Sequence, residues 1–210
     1  MNRGEIRTEL TDDLSTQSSD IFYTDTYLDR VINRAVKFAA NRHPFKNTQR
    51  VEKRTIDADE AGGDYVNLPE NWLFDSVYYV SLNDTKYHLF NPKQYQNYVD
   101  DEATGEYATV IRDRLFFGNT TLALDDVINI KGQEMPTDMS TDADEHVFYN
   151  DPGIEEAMIE WSLGTAYKKA RGSMYKLGLE RIDEAKRMLD EIWLRHGDSG
   201  YTGQTPSPRG

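Results

Sequence analysis

The stretch Ser76–Tyr98, SVYYVSLNDTKYHLFNPKQYQNY, reads as strand, turn, strand and helix in direct succession. Val77, Tyr78, Tyr79 and Val80 are β-branched or aromatic, and they predict a strand over Ser76–Leu82. Asn83-Asp84 reads as a hairpin turn, because these two residue types tolerate positive φ. Thr85–Phe90 returns as the partner strand. Asn91-Pro92 then starts a helix, with a capping side chain followed by proline at the first helical position, and the helix is expected over Pro92–Tyr98. Both periods occur within one short window, so the class is mixed α and β.

More strand signals lie on either side. Val51–Asp57 is extended, Asp59–Gly63 is an acidic turn, and Tyr65–Leu68 is a short strand closed by Pro69. Thr109–Ile111 and Leu115–Phe117 flank the polar turn Arg112-Asp113-Arg114, and Val127–Ile130 adds another strand. Residues 133–151 read as a loop rich in acids and turn formers.

Helical periodicity dominates outside this region. Leu28, Val31, Ile32, Ala35, Phe38 and Ala39 recur at helical spacing over residues 25–41, with Thr24 or Thr26 as cap and Pro44 as stop. A shorter helix precedes it near Arg3–Leu10, followed by a polar loop at Ser15–Asp20. Asp151-Pro152 opens a helix expected to reach about Tyr175, with Gly178 as the break. Leu179, Ile182, Ala185, Leu189, Ile192 and Trp193 mark a second helix that ends at Gly197. Residues 197–210 are rich in Gly, Ser, Thr and Pro and read as a flexible, extended tail. The expected fold is therefore α+β: a helical bundle (N-terminal helix plus C-terminal helix hairpin) with an inserted small antiparallel β unit. The expected domains are a bundle of residues 1–50 and 152–196, and an acidic β-rich insert of residues 51–151 with its loop at 133–151.

Charge narrows the function. Of the net −13, residues 52–151 carry 7 Lys/Arg against 21 Asp/Glu, whereas residues 1–51 carry 8 against 7 and residues 152–196 carry 8 against 8. Such a segment repels a phosphate backbone and argues against a DNA-gripping surface. There is no cysteine, which removes thiolate chemistry and disulfides. No apolar run marks a leader or a membrane span, and a soluble protein made in the cytoplasm is expected.

The search for catalytic motifs gives nothing, and no enzyme and no cofactor are expected. His43, His88, His146 and His196 form no metal-ligand spacing, and no phosphate loop or nucleophile elbow is present. Asp138–Glu145 lacks the alternation and the glycine of a calcium loop. Glu156 and Glu160 stand in the first turns of a helix, where carboxylates complement the dipole. Tyr78, Tyr79, Tyr87, Tyr95, Tyr98 and Tyr107 crowd the β segment. They suit core packing or a protein interface, with a carbohydrate-binding module as the alternative.

Several stretches resemble the head–tail adaptor (connector) proteins of tailed bacteriophages, podophage type. They are Thr26–Ala39 (TYLDRVINRAVKFA), Tyr65–Val80 (YVNLPENWLFDSVYYV), Leu89–Tyr98 (LFNPKQYQNY), Val110–Phe117 (VIRDRLFF) and the helices that start at Asp151-Pro152. The resemblance implies a structural protein of the virion neck, made in the host bacterial cytoplasm. It implies a homo-oligomeric ring, typically of twelve copies, beneath the portal protein. It further implies contact with a tail or nozzle protein or role as another neck or tail-completion module, and passage of DNA during ejection. Portal docking is then expected from Leu179, Ile182, Tyr201, Gln204, Pro206 and Arg209. A DNA-repelling acidic surface is expected from Asp100, Asp101, Glu102, Glu134, Asp138, Asp142, Asp144 and Glu145.

Overall fold

The computed structural model describes residues 1–17, 23–73, 76–100, 104–169 and 173–196. Among them the chain forms five α-helices, α1 (Arg3–Gln17), α2 (Asp25–Arg42), α3 (Pro92–Asp100), α4 (Pro152–Lys169) and α5 (Ser173–His196). The strands are β1 (Gln49–Thr55), β2 (Tyr65–Asn67), β3 (Tyr79–Leu82), β4 (Thr85–Phe90), β5 (Tyr107–Ile111), β6 (Arg114–Gly118) and β7 (Val127–Gln133). The described residues divide into two compact units, one within residues 1–48 and 136–196 and one within residues 49–135.

The first unit is built on α4. Ile154, Ala157, Met158, Ser162, Leu163, Ala166 and Tyr167 are all buried, so apolar contact surrounds much of the helix instead of marking one stripe. α1, α2 and α5 pack against it. α2 offers the conventional apolar face of Leu28, Val31, Ile32, Ala35, Val36 and Ala39, and its Thr24 cap accepts the Tyr27 amide. α1 extends past the expected Leu10 to Gln17. Ile6, Leu10 and Leu14, spaced four apart, are all buried, and the last of them carries the helix on.

Gly178 does not break the C-terminal helix. It lies inside α5, opposite Gly164 of α4. A Cβ at Gly178 would stand 2.6 Å from the Gly164 carbonyl oxygen, and one at Gly164 would stand 2.7 Å from that of Gly178. The two backbones touch at this crossing, which only paired glycines permit.

The second unit overturns the expected helical bundle carrying a small antiparallel β unit. The protein is α+β, with a seven-stranded curled sheet of order β1-β7-β3-β4-β5-β6-β2 as a principal component. Nor is the sheet wholly antiparallel: β4 and β5 run parallel, with His88, Leu89 and Phe90 beside Tyr107, Ala108 and Thr109. The connection through α3 supplies the crossover that parallel neighbours need. Asn83 and Asp84 take φ of 48° and 65° in the β3–β4 turn. Ile56, Val66, Leu68, Trp72, Val80, Leu82, Ala108, Leu115, Phe117, Leu122, Ile128 and Ile130 fill the core.

The sheet curls far enough for its two edge strands to meet through one side chain. Arg54 of β1 donates from Nη1 and Nη2 to Glu60 at 2.6 and 2.7 Å, and from Nη2 to the Asn67 carbonyl of β2 at 3.1 Å. Such a forked arginine–carboxylate pair fixes orientation as well as proximity.

Two substitutions test these joints. Gly178→Ala is expected to cost roughly 1–3 kcal/mol through overpacking against a backbone oxygen, read as a lowered midpoint in urea. Arg54→Ala leaves the half-buried Glu60 carboxylate unpaired and is expected to cost about 1–3 kcal/mol. An unchanged midpoint for either variant removes the role assigned to it.

Candidate docking surfaces

The residues expected to contact a portal occupy different positions. Leu179 lies on the outer side of α5, 40% exposed, one turn after Tyr175 at 46%. Ile182 instead turns inward, half-buried, where its side chain would be met by a Cβ at Gly164. The two are neighbours on one helix, yet only Leu179 presents an apolar surface to a partner. Tyr201, Gln204, Pro206 and Arg209 lie outside the described residues.

The acidic set is divided between the two units. Asp100 accepts from Gln96 within α3 at 2.7 Å, and Glu134 pairs with Arg50 at 2.6 Å, both in the sheet unit. Asp101 and Glu102 lie outside the described residues. Asp138, Asp142, Asp144 and Glu145 belong to the helical unit, where most of them are engaged. Asp138 pairs with Lys37 at 2.8 Å. Asp142 bonds to both Arg3 (2.9 Å) and Arg7, and those hydrogen bonds hold its carboxyl below the usual aspartate range. Asp144 accepts from the hydroxyl and amide of Thr141 and from the Ser140 amide, and is held lower still. Glu145 is exposed and joins Asn2 through a backbone bridge.

These contacts fasten the loop after Pro136 across α1 and α2. Arg3 also donates to the Met139 carbonyl at 3.0 Å, and Asn33 of α2 exchanges two hydrogen bonds with the Met139 backbone. Arg7 meets Asp29 of α2 as well as Asp142. Sequence reading missed Arg3, Arg7 and Asp29 because their partners lie on other elements, 22 residues away for Arg7 and Asp29 and more than a hundred for the bonds of Arg3 and Arg7 to Met139 and Asp142.

The tyrosines of the sheet unit mostly satisfy one another. Phe90, Tyr95, Tyr98 and Tyr107 form a cluster beneath α3, with ring centroids 4.6–6.4 Å apart. Tyr107 lies so close to Gly118 that any side chain there would overlap its ring. Burial pushes the Tyr95 phenol up to about 12. Tyr87 packs edge-on against Phe117. Of these rings only Tyr98 is substantially exposed, at 42%, so they offer no broad aromatic platform for a sugar.

Other titratable groups serve packing. Glu160 of α4 receives two hydrogen bonds from Arg181 of α5, at 2.7 and 2.8 Å. His146 is buried beside Glu155, 3.3 Å from its carboxylate, and burial lowers its pKa. His43 caps α2, stacks on Trp193 at 5.3 Å with rings 3° from parallel, and meets Asp190 at 2.6 Å. No three His, Asp or Glu side chains among the described residues are grouped to hold a metal ion. No helix among them is long and apolar enough to cross a membrane.

What distinguishes the chain is thus a pair of units with presentable surfaces, and its sequence matches the profile of the SU10 adaptor protein family over residues 1–206. The chain belongs to the SU10 adaptor protein family. This agrees with the resemblance of its helices and strands to phage head–tail adaptors. The family is one of structural phage adaptors and not of enzymes, and membership implies a component of the virion. No curated protein matches the chain.

The junction of α2 with α5 in this SU10 adaptor is expected to weaken in acid. Burial lowers the His43 pKa below its ordinary 6.5, outweighing the opposite pull of Asp190. Its folded form therefore favours the neutral ring, and stability falls as pH drops below 6.5. Asp190, depressed from 3.8 chiefly by its bond to Arg42, loses its contribution at lower pH, as the carboxylate protonates. Urea midpoints measured from pH 8 to about pH 2.5 should fall, and His43→Gln should flatten the upper part of that fall. An equal slope in both proteins assigns the effect elsewhere.

Proposed function

We infer that this SU10 adaptor forms a ring beneath the portal protein, joins capsid to tail, and leaves a central passage for DNA. The match to an adaptor family across nearly the whole chain carries this reading. Charge supports it: residues 49–135 hold 8 Lys/Arg against 16 Asp/Glu, so a sheet unit facing a channel repels the passing duplex. Among the acids named for that role, Asp100 and Glu134 belong to this unit, and Asp101 and Glu102 follow Asp100 in sequence. Asp138, Asp142 and Asp144 contribute less, because each is already engaged within the helical unit.

Portal contact falls to the segment after Gly197, with Tyr201, Gln204, Pro206 and Arg209 as its anchors, and to Leu179 on the exposed side of α5. Ile182 supports that side from within. Close packing of acidic sheet units around a ring is opposed by their own repulsion, which salt screens. Assembly is therefore expected to require the portal as a template, with twelve copies as the working number. The opposite face is left for a tail or nozzle protein.

Electron microscopy of the chain mixed with its portal protein should show a ring on the portal with an open centre, while the chain alone at low salt sediments as a monomer. A stable ring without portal contradicts the templated assembly. Deleting residues 197–210 should abolish portal binding; retained binding removes the docking role of that segment.

A further inference from the structure

The curled sheet ends on two unequal edges. β2 has three residues, and its outward Asn67 carbonyl is already taken by Arg54. β1 has seven residues and, among the described residues, pairs with β7 alone. The register fixes which of its backbone groups remain open. The Ile56 amide donates to the Asp126 carbonyl at 2.8 Å, and bonding alternates along an antiparallel ladder. Arg54, Glu52 and Arg50 therefore turn their amides and carbonyls toward β7, and Val51, Lys53 and Thr55 turn theirs away. Those outward groups have no backbone partner among the described residues. The Val51 side chain, on the same edge, is 62% exposed. An open edge of this length is a template for one more strand.

Charge identifies the strand. β1 carries Arg50, Lys53 and Arg54 against Glu52, and is a basic strip in a unit with twice as many acids as bases. Arg50 and Arg54 have partners in Glu134 and Glu60, while Lys53 is exposed and has no ion pair among the described residues. A second copy is disfavoured in the antiparallel register that engages all seven residues of the strand. Two β1 strands paired antiparallel about Glu52 would set Arg50 opposite Arg54 twice, and like charges directly opposite are destabilising. The β2 edge of a second copy is short and its carbonyl is occupied.

We propose that the β1 edge docks an extended acidic segment of a partner polypeptide, which joins the sheet as an additional strand. Its acidic residue faces Lys53, and an apolar residue two positions along covers Val51, since alternate side chains share one face of a strand. This docking is independent of the ring and of portal contact, and it is tested without either.

The probes are two synthetic peptides, acetyl-Thr-Val-Thr-Glu-Thr-Val-Thr-amide and its counterpart with lysine in place of glutamate, titrated into the full chain. The acidic peptide is expected to bind at least tenfold more tightly and to slow hydrogen exchange at the amides of Val51, Lys53 and Thr55. Lys53→Glu should reverse the preference. Val51→Pro removes an outward amide that β7 does not use, and should abolish binding while the β7 ladder persists. Equal binding of both peptides overturns the proposal, leaving Lys53 as a charge that only discourages aggregation. Failure of both to bind, or protection appearing elsewhere, overturns it as well. Protection of the same three amides by self-association, without peptide, assigns the edge to a second copy and also overturns it.

Discussion

The helical unit depends on how closely α4 and α5 approach. Helices separated by ordinary side chains lie 8–10 Å apart. At Gly164 and Gly178 neither helix has a side chain to interpose, and each glycine faces the other's carbonyl oxygen. That contact sets the angle at which α5 leaves the crossing. It thereby brings Arg181 to Glu160 on one side and Trp193 to His43 on the other. α2 and α1 then pack on the remaining faces of α4, which accounts for a helix buried on most of its circumference.

The sheet unit uses a different device. Its strands alone leave two edges, and a curled sheet needs a restraint to keep its curvature. Arg54 supplies one, anchoring Glu60 with both terminal nitrogens while reaching the backbone of β2. Closure by one side chain at one end leaves the rest of β1 open. The same geometry that stabilises the curl also leaves an edge available for recognition. A fully closed barrel would have hidden it.

Legibility in the sequence followed the range of the interaction. Thr85–Phe90 was readable as a strand, and α2 to within a residue or so, because turn, cap and periodicity are all local. The crossover was not: Leu89 and Ala108 pair across α3, and nothing in either segment names the other. Gly178 misled for a sharper reason. A glycine within a helical pattern carries the same local signal whether it ends the helix or admits a neighbouring backbone. The acids at 138–145 looked like free surface charge, since Arg3, Arg7 and Lys37 lie far away in sequence. The family was recognisable because the order of weak features survives where each feature alone says little. The outward orientation of Leu179 and the inward one of Ile182, four and seven residues from Tyr175 on a single helix, could be separated only once α4 was in place.

The pairing of β1 with β7 has a mechanical consequence. Gln49 opens the sheet unit and Gln133 ends its last strand, and they face each other in the ladder. The chain therefore enters and leaves this unit through adjacent rungs. Tension transmitted along the chain pulls the two strands apart at that end, so the ladder opens rung by rung, like a zipper, and its bonds do not resist together in shear. Under such a load the unit would yield first there. Because the entry and exit points are neighbours, the helical unit could also accept a different module between Thr48 and Pro136 without rearranging its own packing.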